Sequence, residues 1–173
     1  MREYASDPPV EQTVGDRLRE AGQTVAVAEG CTGGLVAALL TAEPGASDFL
    51  DRALVPYSYD SLRELLAIDR ETLDEHGVVS EQTTRALARA VRDTAGTTWG
   101  LATAGVAGPD GGTAEKPVGT TFVGVAFAGE WGSGESGATV DRYRIEGDRA
   151  TVRERAARRA LSDLASHVAD RGD

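Results

Sequence analysis

The chain has 173 residues, of which 40% are hydrophobic and 27% are charged, and its formal net charge is -10. This length and composition predict one folded domain and exclude a largely disordered chain. The acidic balance also argues against nucleic acid as a partner, because phosphate backbones repel a negative surface.

Two residue types are nearly absent. Lys116 is the only lysine among 18 Lys+Arg residues, and Cys31 is the only cysteine. One cysteine excludes an intrachain disulfide. The acidic, lysine-poor composition is typical of a salt-adapted protein, which melting temperatures in low and molar KCl would test. No apolar leader and no run of membrane-spanning length is present, so we expect a cytoplasmic protein without a membrane partner.

The first third of the chain alternates helical and strand-like patterns. Residues 1–9 are polar and proline-containing and are expected to form a loose lead-in, with a single domain over 10–173. Apolar residues at helical spacing predict a helix over Val10–Ala21. A short β-branched run predicts a buried strand over Thr24–Ala28, and a second helix is expected at Leu35–Thr41.

The middle third is predominantly helical. A strand is predicted at Arg52–Tyr57, although Pro56 weakens it because proline cannot donate to a ladder. Ser58 and Ser80 are well placed to cap helices. The helices predicted here are Tyr59–Ala67, Arg70–His76 and Glu81–Ala95.

The last third returns to strands before a final helix. Strands are predicted at Leu101–Ala107 and Thr121–Phe127, and an antiparallel strand at Thr139–Ile145. The final helix is expected over Asp148–Ala169. Helices interleaved with strands in this way predict a layered α/β domain.

A glycine-rich turn, Glu29–Gly34, joins the first predicted strand to the next helix. Such a turn can present helix N–H groups, a carboxylate and the Thr32 hydroxyl to a ligand, or its glycines can simply ease packing. Cys31 also has two interpretations. Next to a helix N-terminus it can be a thiol of lowered pKa, whereas a lone cysteine is commonly a small buried hydrophobe.

A second glycine-rich segment, Gly105–Gly119, lies between two predicted strands and contains Lys116. Its backbone can approach a ligand closely and can form a concave anion site. The plainer interpretation is a long connection built from turn residues. The segment lacks the P-loop pattern, so it does not support a nucleotide triphosphatase.

The basic and metal-binding residue types offer few further candidates. His76 and His167 fall near the ends of predicted helices and are expected to be solvated rather than general bases. One cysteine and two distant histidines lack the spacing of a zinc site. The arginines of the last helix form a charged face, but Arg149 stands at its start, where it can hold a phosphate through two N–H groups.

Three segments resemble the C-terminal domain of the CinA family, the nicotinamide-nucleotide amidohydrolases. They are Thr24–Gly34, similar to A-E-S-C-T-G-G; Val55–Leu66, similar to V-x-Y-S-N-x-x-K-x-x-L-L; and Gly105–Gly119, similar to G-I-A-G-P-x-G-G-T-x-x-K-P-V-G. The resemblance implies a three-layer α/β/α sandwich with a mixed β-sheet. It also implies hydrolysis of nicotinamide mononucleotide to nicotinate mononucleotide and ammonia without an obligatory cofactor, and it allows a homodimer.

The chain departs from the family pattern at the positions that resemble its chemistry. Gly30 replaces the serine of A-E-S-C, Leu62 replaces the lysine of Y-S-N-x-x-K, and Ala104 replaces a threonine. Tyr59 stands in place of the asparagine. Because glycine and leucine can supply neither a nucleophile nor its activator, the resemblance implies a binding pocket with weak or absent amidase activity.

Three hypotheses follow. The first is a rebuilt amidohydrolase with Cys31 as nucleophile and Tyr57 or Lys116 as proton carrier. The second is a module that binds a small nucleotide without hydrolysing it. The third is a purely structural homologue. The candidate catalytic residues are thus Cys31, Tyr57 and Lys116. The candidate ligand-binding residues are Glu29, Thr32, Gly33, Gly34, Ser58, Gly108, Pro109, Gly111, Gly112 and Arg149.

Overall fold

The computed structural model describes residues 4–171, and within that range helices and strands alternate as the sequence predicts. The helices are α1 (Val10–Ala21), α2 (Leu35–Ala42), α3 (Tyr59–Leu66), α4 (Arg70–His76), α5 (Glu81–Ala95) and α6 (Arg149–Ala169). The strands are β1 (Val25–Glu29), β2 (Leu50–Leu54), β3 (Trp99–Gly105), β4 (Thr120–Phe127) and β5 (Gly137–Arg144).

The five strands form one mixed sheet in the order β2-β1-β3-β4-β5. Strand β1 pairs in parallel with both β2 and β3, whereas β4 pairs antiparallel with β3 and β5. Helices α1, α2 and α6 cover one face, and α3, α4 and α5 cover the other. The fold is therefore an α/β/α sandwich with a mixed sheet, as predicted.

Strand alternation divides the core into two parts. Val25 and Val27 pack with Trp99 against α1, α2 and α6. Ala26 and Ala28 face the opposite way and pack with residues of α3 and α5. Small side chains on this second face let α5 lie close to the sheet, which explains how a chain with few aromatic residues fills its core.

The sheet brings the two glycine-rich segments together at one edge. Strands β1 and β3 run in parallel, with Glu29 paired to Thr103, so both strands end at the same edge. The turn 30–34 follows β1, and the loop 106–119 follows β3. Open α/β sheets bind ligands beyond the carboxyl ends of such strands.

Some predicted boundaries need correction. Strand β2 spans Leu50–Leu54 rather than Arg52–Tyr57, because its pairing partners on β1 end at Ala28 opposite Leu54. The chain beyond Leu54 runs through Pro56, which has no N–H to pair. Residues 1–3 of the predicted lead-in and the final two residues, 172–173, lie outside the described part. Tyr4 packs against α6, where its hydroxyl lies 3.4 Å from the Thr151 hydroxyl.

Within residues 4–171, no helix combines the length and the apolar character needed to cross a membrane.

Candidate functional site

The N-terminus of α2 is already occupied by a carboxylate of the chain itself. Glu29, the last residue of β1, is 0% exposed. Its carboxylate accepts hydrogen bonds from the backbone N–H groups of Gly34 at 2.9 Å, Val36 at 3.1 Å and Ala37 at 2.8 Å. These are the groups that would otherwise bind an anion. The prediction that Glu29 contacts a ligand is therefore wrong, because the carboxylate stabilises the helix end from inside.

The turn that follows Glu29 is held from within the protein. Thr32 is fully buried, and its hydroxyl lies 2.7 Å from the Thr103 hydroxyl. The expectation that this hydroxyl faces a ligand is thus corrected. Gly33 and Gly34 adopt φ of 58° and 95°, a region that favours glycine, so they allow the tight turn into α2.

A cavity of about 250 Å³ lies between this turn and the loop that follows β3. It brings together five of the predicted site residues, namely Cys31, Tyr57, Gly108, Gly111 and Arg149. It adds residues that the sequence did not single out as ligands, chiefly Val79 and Asp110, and Gly105, Val106 and Ala107 at the end of β3 also line it. Asp110 lies within the Gly105–Gly119 segment of the family resemblance, which was the one available signal, whereas Val79 lies in none of the three segments.

Arg149 stands at the rim of the cavity as the first residue of α6. It is exposed, and its guanidinium donates to the Gly108 carbonyl at 2.6 Å and reaches the Tyr57 hydroxyl at 3.5 Å. A guanidinium has five N–H donors, so donors remain for an anionic ligand. The arginine thus both anchors the loop and offers positive charge to the cavity.

Arg153, one turn further along α6, holds the other side of the site. Its guanidinium donates to the Thr32 carbonyl at 3.0 Å and approaches the Gly33 carbonyl at 3.4 Å. The sequence placed this residue on a solvated face, and that interpretation is corrected. Its partner lies 121 residues earlier in the chain, which no local pattern reveals.

Cys31 lines the cavity but is not an activated nucleophile. The residue is only 8% exposed, and burial raises the pKa of its thiol from 9.0 to about 12, with the negative charge of Glu29 adding to the shift. The lowered pKa expected beside a helix N-terminus is therefore wrong. Desolvation outweighs the helix, whose terminal N–H groups are already bonded to Glu29.

We expect Cys31 in the folded protein to react with iodoacetamide at pH 8 about a thousandfold more slowly than in the denatured chain. The thiolate is the reacting form, and three pKa units reduce its population by about that factor. The rate is measured by mass spectrometry with and without guanidinium chloride. Equal rates in the two conditions would contradict the buried, protonated state.

Tyr57 and Ser58 have different positions although they are adjacent. Tyr57 is 69% exposed and lies at the cavity rim. Ser58 caps α3, where its hydroxyl accepts a hydrogen bond from the Ser61 N–H at 3.1 Å. Ser58 does not line the cavity, so its contribution is to begin the helix that follows Tyr57.

Lys116 is not among the residues that line the cavity. Its ammonium donates a hydrogen bond of 3.2 Å to the carbonyl of His76, which is the last residue of α4. The expected role as a proton carrier does not fit this position. Gly112 and Pro109 also lie outside the cavity lining, and Gly112 is packed so closely that a Cβ would come within 2.8 Å of the Val118 nitrogen.

The three positions that depart from the family pattern present no polar side chain to the cavity. A Cβ at Gly30 would lie 2.8 Å from the Thr103 carbonyl oxygen. Leu62 is 2% exposed and packs in the core between the sheet and α5, and Ala104 is also buried. The three positions therefore place no side-chain hydroxyl, thiol or amine in the cavity.

Comparison with known proteins identifies the same family along nearly the whole chain. The model of the CinA C-terminal domain matches residues 7–168. A CinA-like protein from Anaeromyxobacter sp. (strain K) is 47% identical over 148 residues, which is 86% of this chain and 35% of that protein. The chain thus spans about a third of the length of the curated relatives it matches.

Solved structures of the same superfamily match the chain over nearly their whole length. A competence-damaged protein (CinA) superfamily protein from Klebsiella pneumoniae superposes with a TM-score of 0.85 at 31% identity, covering 93% of this chain and 96% of the other. The competence/damage inducible protein CihA from Agrobacterium tumefaciens gives a TM-score of 0.85 at 31% identity, with coverage of 96% and 98%.

Proposed function

Because this chain belongs to the CinA C-terminal domain family, we propose that its cavity binds a nicotinamide-mononucleotide-type ligand and hydrolyses the amide weakly or not at all. The buried, protonated thiol of Cys31 supports the weak or absent hydrolysis. This cysteine lines the cavity, and burial holds its thiol protonated at neutral pH. A protonated thiol is a poor nucleophile toward an amide, which itself needs strong activation.

Arg149 and Tyr57 at the rim of the cavity support the proposed binding of a mononucleotide. Arg149 offers unused N–H donors in a planar fork that matches a phosphate, and it lies in the first turn of α6, where the helix dipole also favours negative charge. Tyr57 presents an exposed aromatic face beside it. Such a face suits the flat ring of a pyridine nucleotide.

The glycine-rich loop supports close approach of the ligand. Gly108 and Gly111 line the cavity with φ of 81° and 86°, so backbone rather than side chains forms this wall. Backbone N–H groups in such a conformation can hydrogen-bond a ligand directly. The N-terminus of α2 is excluded as a phosphate site because Glu29 fills it, which leaves the Arg149 end for the anionic group.

We expect Arg149→Ala to weaken binding of nicotinate mononucleotide by about 10- to 100-fold, the usual value of a charge-assisted pair, as measured by titration calorimetry. Nicotinamide riboside, which lacks the phosphate, is the control ligand. The variant should lose less affinity for the riboside than for the mononucleotide, because the riboside meets the same loop that Arg149 anchors but lacks the phosphate that its remaining donors would hold. Equal weakening for both ligands would instead assign Arg149 to loop support alone.

The proposed weak or absent hydrolysis of the amide is tested by measuring ammonia release from nicotinamide mononucleotide. We expect no release above that of Cys31→Ala. Brisk release that Cys31→Ala abolishes would overturn the proposal in favour of a rebuilt amidohydrolase. Absence of heat with millimolar mononucleotides would remove the binding function itself.

A further inference from the structure

The Lys116 side chain connects the loop that follows β3 to the end of α4. Lys116 is half-buried within the loop that follows β3, and its ammonium donates to the His76 carbonyl at the end of α4, 40 residues away in the chain. The last carbonyls of a helix lack intrahelical partners, and positive charge is favourable there. This contact therefore joins α4 to a loop that lies far from it in the sequence.

The α4 side of this bridge leads directly into the cavity. After His76 the chain turns at Gly77 and reaches Val79, which lines the cavity. Two hydrogen bonds hold this corner, because the hydroxyls of Ser80 and Thr83 both donate to the Gly77 carbonyl, at 3.0 and 2.7 Å. A displacement of His76 would therefore carry Val79 with it.

The loop side is equally well defined. The Thr113 N–H donates to the Lys116 carbonyl at 3.0 Å, and the Lys116 N–H donates to the Thr113 hydroxyl at 3.0 Å. The loop then returns to its own start, where the Gly119 N–H donates to the Val106 carbonyl at 2.7 Å. Val106 lines the cavity, so the position of Lys116 is coupled to this wall by backbone hydrogen bonds.

We infer that Lys116 is a positioning residue that sets the distance between the Val79 wall and the Val106–Gly111 wall of the cavity. The inference rests on the proposed binding function of that cavity. Lys116 does not line the cavity, and its ammonium acts by holding the His76 carbonyl. Without the bridge the loop and the corner at residues 77–80 move independently, and the ligand must bear the entropic cost of ordering them.

The test compares three variants with the unaltered protein. Lys116→Met keeps the length of the side chain and removes the donor, and Lys116→Arg keeps a cationic donor. Arg142→Met is the matched control, since Arg142 donates to the carbonyl of Glu115 in the same loop but ties it to β5 rather than to the Val79 corner. Affinity for nicotinate mononucleotide is measured by calorimetry, and amide hydrogen exchange is followed at residues 77–80 and 106–112.

We expect Lys116→Met to bind about tenfold more weakly, with faster exchange on both walls, and Lys116→Arg to recover most of both properties. Arg142→Met should bind within about twofold of the unaltered protein. Unchanged affinity and exchange in Lys116→Met, equal weakening in Arg142→Met, or no recovery in Lys116→Arg would each overturn the inference. If the unaltered protein binds no mononucleotide, the proposed function fails, while the exchange data still decide whether Lys116 couples the two walls.

Discussion

Replacing Glu29 by alanine is expected to lower the free energy of unfolding by about 3–5 kcal/mol. The carboxylate is fully buried and accepts three backbone N–H groups at the start of α2, and alanine would leave these donors without partners in the core. Hydrogen bonds to a charged group contribute about 1.5–3 kcal/mol each, and stranded buried donors add a desolvation cost. Urea unfolding followed by circular dichroism measures the change.

Two further variants make this prediction specific. Glu29→Gln keeps the shape but replaces one accepting oxygen by an NH₂ group, so an intermediate loss is expected. Glu64→Ala removes an exposed carboxylate from α3 and should change stability by less than about 0.5 kcal/mol. If Glu29→Ala unfolded at the same urea concentration as Glu64→Ala, the carboxylate would not stabilise the helix as described.

Gly100→Ala is expected to destabilise the fold by about 2–4 kcal/mol, because α5 leaves no room for a side chain at this point of β3. An added Cβ would overlap the Ala88 carbonyl oxygen and would lie 2.7 Å from the Arg92 Cβ. The helix would have to move away from the sheet, and overpacking of this kind is costly. For a domain of this size we expect a drop in melting temperature of about 5–15 °C, measured by differential scanning calorimetry.

The matched control for this variant is Gly137→Ala at the start of β5. A Cβ at Gly137 would meet nothing within 4 Å, so the same change should leave the melting temperature nearly unaltered. Equal melting temperatures for the two variants would show that the small side chains on this face do not set the distance between α5 and the sheet.

Helix bounds were predictable where the chain carries its own signals for them. Helix α1 spans Val10–Ala21 as predicted, because Gly22 takes the left-handed conformation that ends a helix, and Gly96 does the same after α5. Strand β2 was less predictable, since its limits depend on pairing with β1. Such pairing joins residues far apart in sequence, so the local composition of a strand does not predict where its pairing ends.

The segments that form the site were predictable, whereas the directions of their side chains were not. The turn after β1 and the loop after β3, in both of which glycines cluster, each contribute residues to the cavity. The sequence misplaced Glu29, Thr32 and Lys116, each of which hydrogen-bonds a partner inside the protein. Arg149 was easier to place, because the sequence predicts the start of α6 and so locates this residue in the first turn of the helix. The structure puts that first turn beside the cavity.

The two arginines of α6 also determine when the cavity can form during synthesis. A nascent chain that has reached residue 148 contains all five strands and both glycine-rich segments, but it lacks the guanidinium groups that hold Gly108 and Thr32. It also lacks the apolar side of α6 that covers the sheet. The cavity is therefore complete only after α6 has left the ribosome and packed on the sheet.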